Sequence, residues 1–366
     1  MYQTPHVCAV NDQACRSDPD NALHVFGSLG SNSGNMAFSE AIYRGIKGAR
    51  RGIYAFAEEE LEGADCIVLA AANWMNSVDD FGWLADRLEA SGLPVITVGL
   101  GAQADLDRSH PVLQPGTLRL IRLLAERSPA ISVRGDFSAE VLAQHGIHNV
   151  LVTGCPSALL IGRVHPFLNR TSVISDHGCA IHASRNLFDA GKPLERFLYR
   201  QAIRRQIPVL LQAEQPDILF KLNAPPAPDE VRFHHQVLTW AYGADIASVH
   251  SYLASQAQFI PDYDAWIRYL STRQFVIGTR LHGTIASLIA GTPATLITHD
   301  SRTAEAALAM HLPTVDSARI DLDRPLRMED YYDDAAYSRF ERHYPVYLRN
   351  FQFFFHLNGL EMFAPT

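Results

Sequence analysis

The stretch FVIGTRLHGTIASLIAGTP, residues 275–293, carries the reading of the fold. Phe275 to Gly278 form a short apolar run that predicts a strand buried on both faces, and residues 284–290 predict a buried helix. A strand feeding a helix through a short turn is the repeating unit of a parallel α/β sheet. Arg280, Leu281 and His282 occupy that turn, and Gly283 lets a ligand approach the backbone before the helix begins. In open α/β sheets ligands bind beyond the carboxyl ends of strands, where this turn falls. The helix N-terminus carries partial positive charge, so Arg280 and the dipole repel one another unless an anion lies between them. The same field holds His282 neutral until an anion arrives. That arrangement suits a general acid charged only when substrate is bound.

Outward from this unit the same rhythm fills the chain. Strands are expected at LHVFG (23–27), CIVLAA (66–71), LPVITVGLG (93–101), AISVR (130–134) and NVLVTG (149–154). Helices are expected over 36–51, 79–91, 115–128 and 136–146. The segment 162–176, GRVHPFLNRTSVISD, breaks the pattern with proline and polar residues. The alternation resumes with strands at CAIHASR (179–185), IPVLLQ (207–212), DIASVH (245–250), QFVIG (274–278) and PATLIT (293–298). Helices near 192–206, 229–240, 262–272, 284–290 and 303–310 separate them. NAPPAPDE (223–230) reads as an exposed proline-rich loop. From about residue 328 the chain is aromatic-rich and helical, and YPVYLRNFQFFFHL (344–357) needs a surface to cover its phenylalanines. The expected fold is α/β, with two Rossmann-like lobes over residues 1–165 and 170–325. They face each other across a cleft, and a helical tail follows over 326–366.

Composition bounds the function. The 366 residues exceed one typical domain, and 47% hydrophobic with 19% charged residues is ordinary for a globular enzyme. Net charge is −8, from 39 acidic and 31 basic side chains, which argues against a nucleic-acid partner. A few arginines in one cleft can still set a local field of opposite sign. The five cysteines, Cys8, Cys15, Cys66, Cys155 and Cys179, are an odd number without a C-x-x-C pair. Neither a metal site nor a disulfide framework is expected, and the compartment reads as reducing. The N-terminus has no basic and apolar leader pattern, and no apolar run is long enough to span a bilayer. The expected location is cytoplasmic, with peripheral membrane contact left open.

Four more strand-end turns carry candidate residues. FGSLGSNSGN presents Gly27, Gly30 and Gly34, with Asn32 and Asn35, to an anion or a polar ligand, or is simply a solvated turn. Its spacing is not that of a dinucleotide fingerprint. In AAANWMNSVDD, Asn73, Trp74 and Asn76 suit a sugar by hydrogen bonding and stacking; packing of Trp74 and helix capping by the asparagines fit equally. Arg134 ends a strand in ISVRGDFSAEVL, where it can clamp a carboxylate or phosphate, or brace the turn through Asp136. Asp136 or Ser138 is placed to cap the helix that follows. Arg302, in THDSRTAEA, is a further phosphate contact or a partner of Glu305. The basic run Arg44, Lys47, Arg50 and Arg51 reads as a solvated face.

Taken together, VIGTRLHGTIASLIAGTPATLITHDSRTAEAA, ISVRGDFSAEVLAQHGIHNVLVTGCPS, VGLGAQA and AANW resemble the polysaccharide pyruvyl transferases, in the family's order and over residues 25–310. The resemblance implies a GT-B-like pair of lobes and transfer of a pyruvyl group from phosphoenolpyruvate to a sugar hydroxyl pair, closing a cyclic ketal. It implies donor binding by Arg134, Arg280, Leu281 and His282, with Arg302 the later basic residue. His282 is the implied acid–base group, and no cofactor or metal is called for. Asn32, Asn35, Asn73 and Trp74 are left for a saccharide acceptor, free or lipid-linked. Asn35 stands where many members carry aspartate, so the resemblance carries no acid–base role to it. Two rival readings are a GT-B glycosyltransferase using a nucleotide sugar and a catalytically silent sugar-binding protein. The first calls for a base and ribose site, which the second half does not clearly show.

Overall fold

The structure is a computed structural model that describes residues 1–11, 22–103, 110–184, 193–224 and 226–364. Two parallel sheets organise it. The first contains β1 (Pro5–Ala9), β2 (Arg50–Ile53), β3 (Cys66–Ala70) and β4 (Val95–Val98) in the order β2-β1-β3-β4. A parallel pair, β5 (Ile131–Val133) and β6 (Val150–Val152), extends it through a bridge between Leu100 and Val133. Helices α1 (Ala22–Ser28), α2 (Asn35–Gly45), α3 (Gly82–Ser91), α4 (Pro115–Arg127) and α5 (Asp136–Gln144) complete this lobe.

The second sheet has the order β12-β11-β10-β7-β8-β9. Its strands are β7 (Cys179–His182), β8 (Val209–Leu211), β9 (Ala257–Phe259), β10 (Phe275–Gly278), β11 (Ala294–Thr298) and β12 (Thr314–Asp316). Between them run α6 (Pro193–Arg205), α7 (Gln215–Lys221), α8 (Pro228–Tyr242), α9 (Ile246–Gln256), α10 (Tyr263–Leu270), α11 (Leu281–Ile289) and α12 (Ser301–Met310). Successive strands are added to one side of β7 through β9 and to its other side from β10 onward, so β7 and β10 are parallel neighbours. That pair is the topological switch point, and the residues beyond it open onto the cleft. The first sheet has its own switch between β1 and β3, just before Asn73.

The tail is α13 (Asp334–Leu357), and its apolar face is covered. Phe340, Phe351, Phe354 and Phe355 are buried, and the Tyr344 and Tyr347 hydroxyls donate to the carbonyls of Ala158 (2.9 Å) and Cys155 (2.7 Å). One continuous apolar cluster joins β1, α2, α11 and α13, so the lobes share a core. A second cluster, with Trp74 in it, lies within the first lobe. Among the described residues no helix is long and apolar enough to cross a membrane.

Two expected strands are helices. LHVFG lies in α1, and the first strand is the earlier PHVCA, so the glycine loop follows a short helix. DIASVH is the start of α9, where Asp245 caps the helix by accepting the Ser248 N–H at 3.0 Å. That cap outweighs the β-branched Ile246 and Val249. The helix expected over 36–51 ends at Gly45, because Arg50–Ile53 pairs with β1. The turn of the opening stretch is also shorter than expected: Arg280 is the N-cap, and Leu281, His282 and Gly283 already form the first turn of α11. Cys8, Cys66, Cys155 and Cys179 are buried free thiols, and Cys15 lies outside the described residues.

Candidate active site

Between the lobes lies a cavity of about 90 Å³. Arg134, Asn32, Asn35 and Asn73 line it from the first lobe, and Arg280, Leu281, His282 and Arg302 from the second. Positions more than 140 residues apart in sequence thus meet because both lobes turn their strand ends to one crevice. Trp74 is not brought there. It is 5% exposed and packs against Tyr54 and Phe81, with ring centroids 5.4 and 5.3 Å away. Asn76 holds its own turn, accepting the Val78 and Asp79 N–H groups. A larger groove of about 630 Å³ lies between α2, α10 and the tail, but its Arg44 is already tied to Glu40 and Asp264.

Arg134 leaves β5 and is 2% exposed as a residue. It donates to the carbonyls of Gly99 (2.8 Å) and Ala71 (3.0 Å) and to Asn73 Oδ1 (3.4 Å). Among the described residues it has no carboxylate within salt-bridge distance. Neutral oxygens hold the fork rigid without a direct ion pair, although its charge acts on the Glu305 carboxyl, and that leaves the guanidinium able to take an anionic ligand. The following helix is capped from the other lobe: Glu305 accepts from the Ser138 N–H (3.0 Å) and hydroxyl (2.7 Å). Asp136 and Ser138 do not supply the cap from their own turn, and Glu305 is not the partner of Arg302. Burial raises the proton affinity of the Glu305 carboxyl.

Arg280 has a counter-ion in the protein. Its Nε donates to Glu214 Oε1 at 2.9 Å, and Nη2 reaches the same oxygen. Glu214 is fully buried, and its other oxygen accepts the Gln212 and Ala213 N–H groups at 2.8 and 3.1 Å. The repulsion expected between Arg280 and the helix N-terminus is therefore relieved by a carboxylate, without any ligand. Arg302 pairs with Asp300 at 3.3 Å, while Asp300 caps α12 through the Thr303 N–H at 2.7 Å. Its Nε is buried without a hydrogen-bond partner among the described residues, and burial lowers its proton affinity.

His282 sits in the first turn of α11, its ring 5.7 Å from that of Phe38. Nε2 lies 3.6 Å from Cys155 Sγ. Burial, then the charges of Arg134, Arg302 and Arg280, push its pKa down to about 3, so the free site holds a neutral imidazole. The causes differ from those expected, since desolvation and three guanidinium groups act in place of the helix field.

Sequence reasoning missed the supporting residues. Gln212 and Glu214 follow β8 in LLQAEQP, so the same strand-end rule reaches both. His182 is hidden inside a strand. Its Nδ1 accepts the Arg280 N–H at 3.1 Å, and burial holds its pKa at about 3. His182→Phe preserves shape but leaves that N–H unsatisfied. A loss of about 1–3 kcal/mol in folding stability is expected, read from denaturant midpoints, and an unchanged midpoint would remove His182 from the support of the turn. Among the described residues no group of three or more His, Cys, Asp or Glu is arranged to hold a metal.

Two Rossmann-like lobes, a cationic crevice between them and an imidazole at a helix N-terminus define a two-lobed α/β protein with one anion-seeking site at its strand ends. Similar solved structures share this chain's length but little of its sequence. S. aureus MnaA, in a co-structure with UDP, is 11% identical, covers 98% of each chain and has a TM-score of 0.42. Anabaena HepE, in complex with UDP and glucose, is 12% identical over 96% of this chain and 99% of that one, with a TM-score of 0.40. No curated protein matches the sequence. The polysaccharide pyruvyl transferase pattern matches residues 14–301, and the chain belongs to that family. It is a transferase enzyme acting on a saccharide.

Proposed function

We propose that the enzyme moves a pyruvyl group from phosphoenolpyruvate to two hydroxyls of a saccharide, releasing phosphate and leaving a cyclic ketal. The observation that carries this reading is the convergence of Arg134, Arg280 and Arg302, from both lobes, on a cavity that also holds neutral His282. Phosphoenolpyruvate brings a carboxylate and a phosphate into one small molecule, a charge that calls for more than one guanidinium. Arg280 is paired with Glu214 and Arg302 with Asp300, whereas Arg134 has no direct ion pair among the described residues.

A bound donor raises the proton affinity of His282. The imidazolium delivers its proton to the donor's methylene carbon, and cation character develops at the adjoining carbon. A sugar hydroxyl attacks there. Phosphate then leaves with the bonding electrons and a second hydroxyl closes the ring; of the two protons lost by the hydroxyls, one restores that given by His282 and the other leaves on the phosphate. Nε2 of His282 faces Cys155, so Nδ1, on the side of Gly34, is the nitrogen assigned to proton transfer. Arginine contacts steady the phosphate as charge builds on it. Asn32, Asn35 and Asn73 are the acceptor-side amides of this reading. Cytoplasmic placement and a lipid-linked acceptor belong to the same proposal.

The test is release of inorganic phosphate from phosphoenolpyruvate with a panel of saccharide acceptors, alongside thermal shift with phosphoenolpyruvate, UDP-sugars and GDP-sugars. Donor-dependent stabilisation and phosphate release support pyruvyl transfer. Stabilisation by a nucleotide sugar alone would replace it with glycosyl transfer. Arg134→Ala should weaken donor binding by about 1.5–3 kcal/mol, the worth of a charge-assisted contact. Arg134→Lys, which keeps charge without the fork, should recover part of that loss by calorimetry.

A further inference from the structure

Gln212 follows β8 and is 1% exposed, yet its side-chain Nε2 has no hydrogen-bond partner among the described residues. A buried amide left unpaired costs stability, so its retention calls for a partner that the protein does not supply. Room has been cleared at both ends of the amide. A β-carbon on Gly34 would lie 3.0 Å from Gln212 Oε1, and one on Gly283 would lie 2.9 Å from Nε2. The main chain is fixed on either side as well: its carbonyl accepts the Ser33 N–H at 2.8 Å, and its N–H donates to Glu214. Gln212 therefore lines the cavity from a rigid base, beside the first turn of α11.

That first turn is the second half of the argument. The leading N–H groups of a helix have no carbonyl within it, and no side chain caps this one. Such an end attracts anions. We propose that Gln212 Nε2 and the first-turn N–H groups of α11 form one subsite, which holds an anionic group of the donor. The amide is neutral, so it adds a directed hydrogen bond at no cost to the protonation of His282 in the same turn. This subsite rests on the pyruvyl-transfer reading for the identity of its ligand, though not for its chemistry, which is that of a phosphate or carboxylate oxygen.

Binding of phosphoenolpyruvate, inorganic phosphate and pyruvate is measured by calorimetry to the wild-type chain, Gln212→Met and Gln212→Glu, each checked for a cooperative thermal melt. Gln212→Met removes the donor and keeps the length; Gln212→Glu replaces it with a carboxylate oxygen. Phosphoenolpyruvate affinity should fall about tenfold or more in Gln212→Met, and further in Gln212→Glu. A parallel loss of inorganic phosphate binding assigns the subsite to the phosphoryl group, and a parallel loss of pyruvate binding assigns it to the carboxylate. Unchanged phosphoenolpyruvate binding in a folded variant overturns the subsite while leaving pyruvyl transfer standing. If the wild-type chain ignores phosphoenolpyruvate yet binds phosphate in a Gln212-dependent way, the subsite stands and the pyruvyl reading falls. Should Gln212→Met fail to fold, Gln212→Glu alone decides. No response of the wild-type chain to any of the three anions overturns both.

Discussion

His282→Gln is expected to lower turnover by about a hundredfold to ten-thousandfold, the range of a lost general acid. Donor binding should survive, because the three arginines and the N-terminus of α11 remain. The variant also separates proton transfer from packing, since glutamine fills the site and keeps polar contacts. In the free enzyme His282 is held at about 3 by burial and by Arg134, Arg302 and Arg280, so it is neutral at pH 7. A bound anion opposes those charges and raises the value. Between about 3 and the raised value, donor binding takes up a proton, and affinity weakens as pH climbs through the upper limit. Calorimetry in two buffers of different ionisation heat measures that uptake directly. His282→Gln should abolish it, and a variant that still takes up the proton would move the acid elsewhere in the cavity.

What the sequence made legible follows from the period of its hydrophobic pattern. Arg134 and Arg280 stand at the ends of β5 and β10, in runs whose apolar residues are bounded by glycine, so their strand-end placement needed no tertiary information. The short runs were a different matter. PHVCA and LHVFG are both five residues with valine and an imidazole, and at that length apolar content does not separate strand from helix. Three-dimensional pairing decided it, because PHVCA fits between β2 and β3. Trp74 was ambiguous for the same reason, as an indole serves a sugar or a core equally, and the presence of Tyr54 and Phe81 resolves its packing. Partners brought from afar were not legible. Glu214 is 66 residues from Arg280, and the strand order of the second sheet brings their turns together; Glu305 is 167 from Ser138, and contact between the lobes joins that pair.

The carboxylate on Arg280 leads to the second large effect. Glu214→Gln should cost about 3–5 kcal/mol of folding stability, because it strands a largely buried guanidinium without its counter-charge. Phosphoenolpyruvate should stabilise this variant more than it stabilises the wild-type chain. In the wild type the donor shares Arg280 with a carboxylate 2.9 Å from its Nε, whereas in the variant the donor supplies negative charge in place of that carboxylate. Stability and donor affinity thus move in opposite directions, a signature that simple loss of packing does not produce. Arg280→Met combined with Glu214→Gln should regain much of the stability, since neither charge is then buried alone, yet lose the donor's stabilising effect. Denaturant midpoints with and without phosphoenolpyruvate, across the four chains of this cycle, measure both quantities together. A Glu214→Gln chain as stable as wild type, with no larger donor response, would mean that Glu214 does not hold the charge of Arg280. The cavity's cationic character would then owe nothing to their pairing.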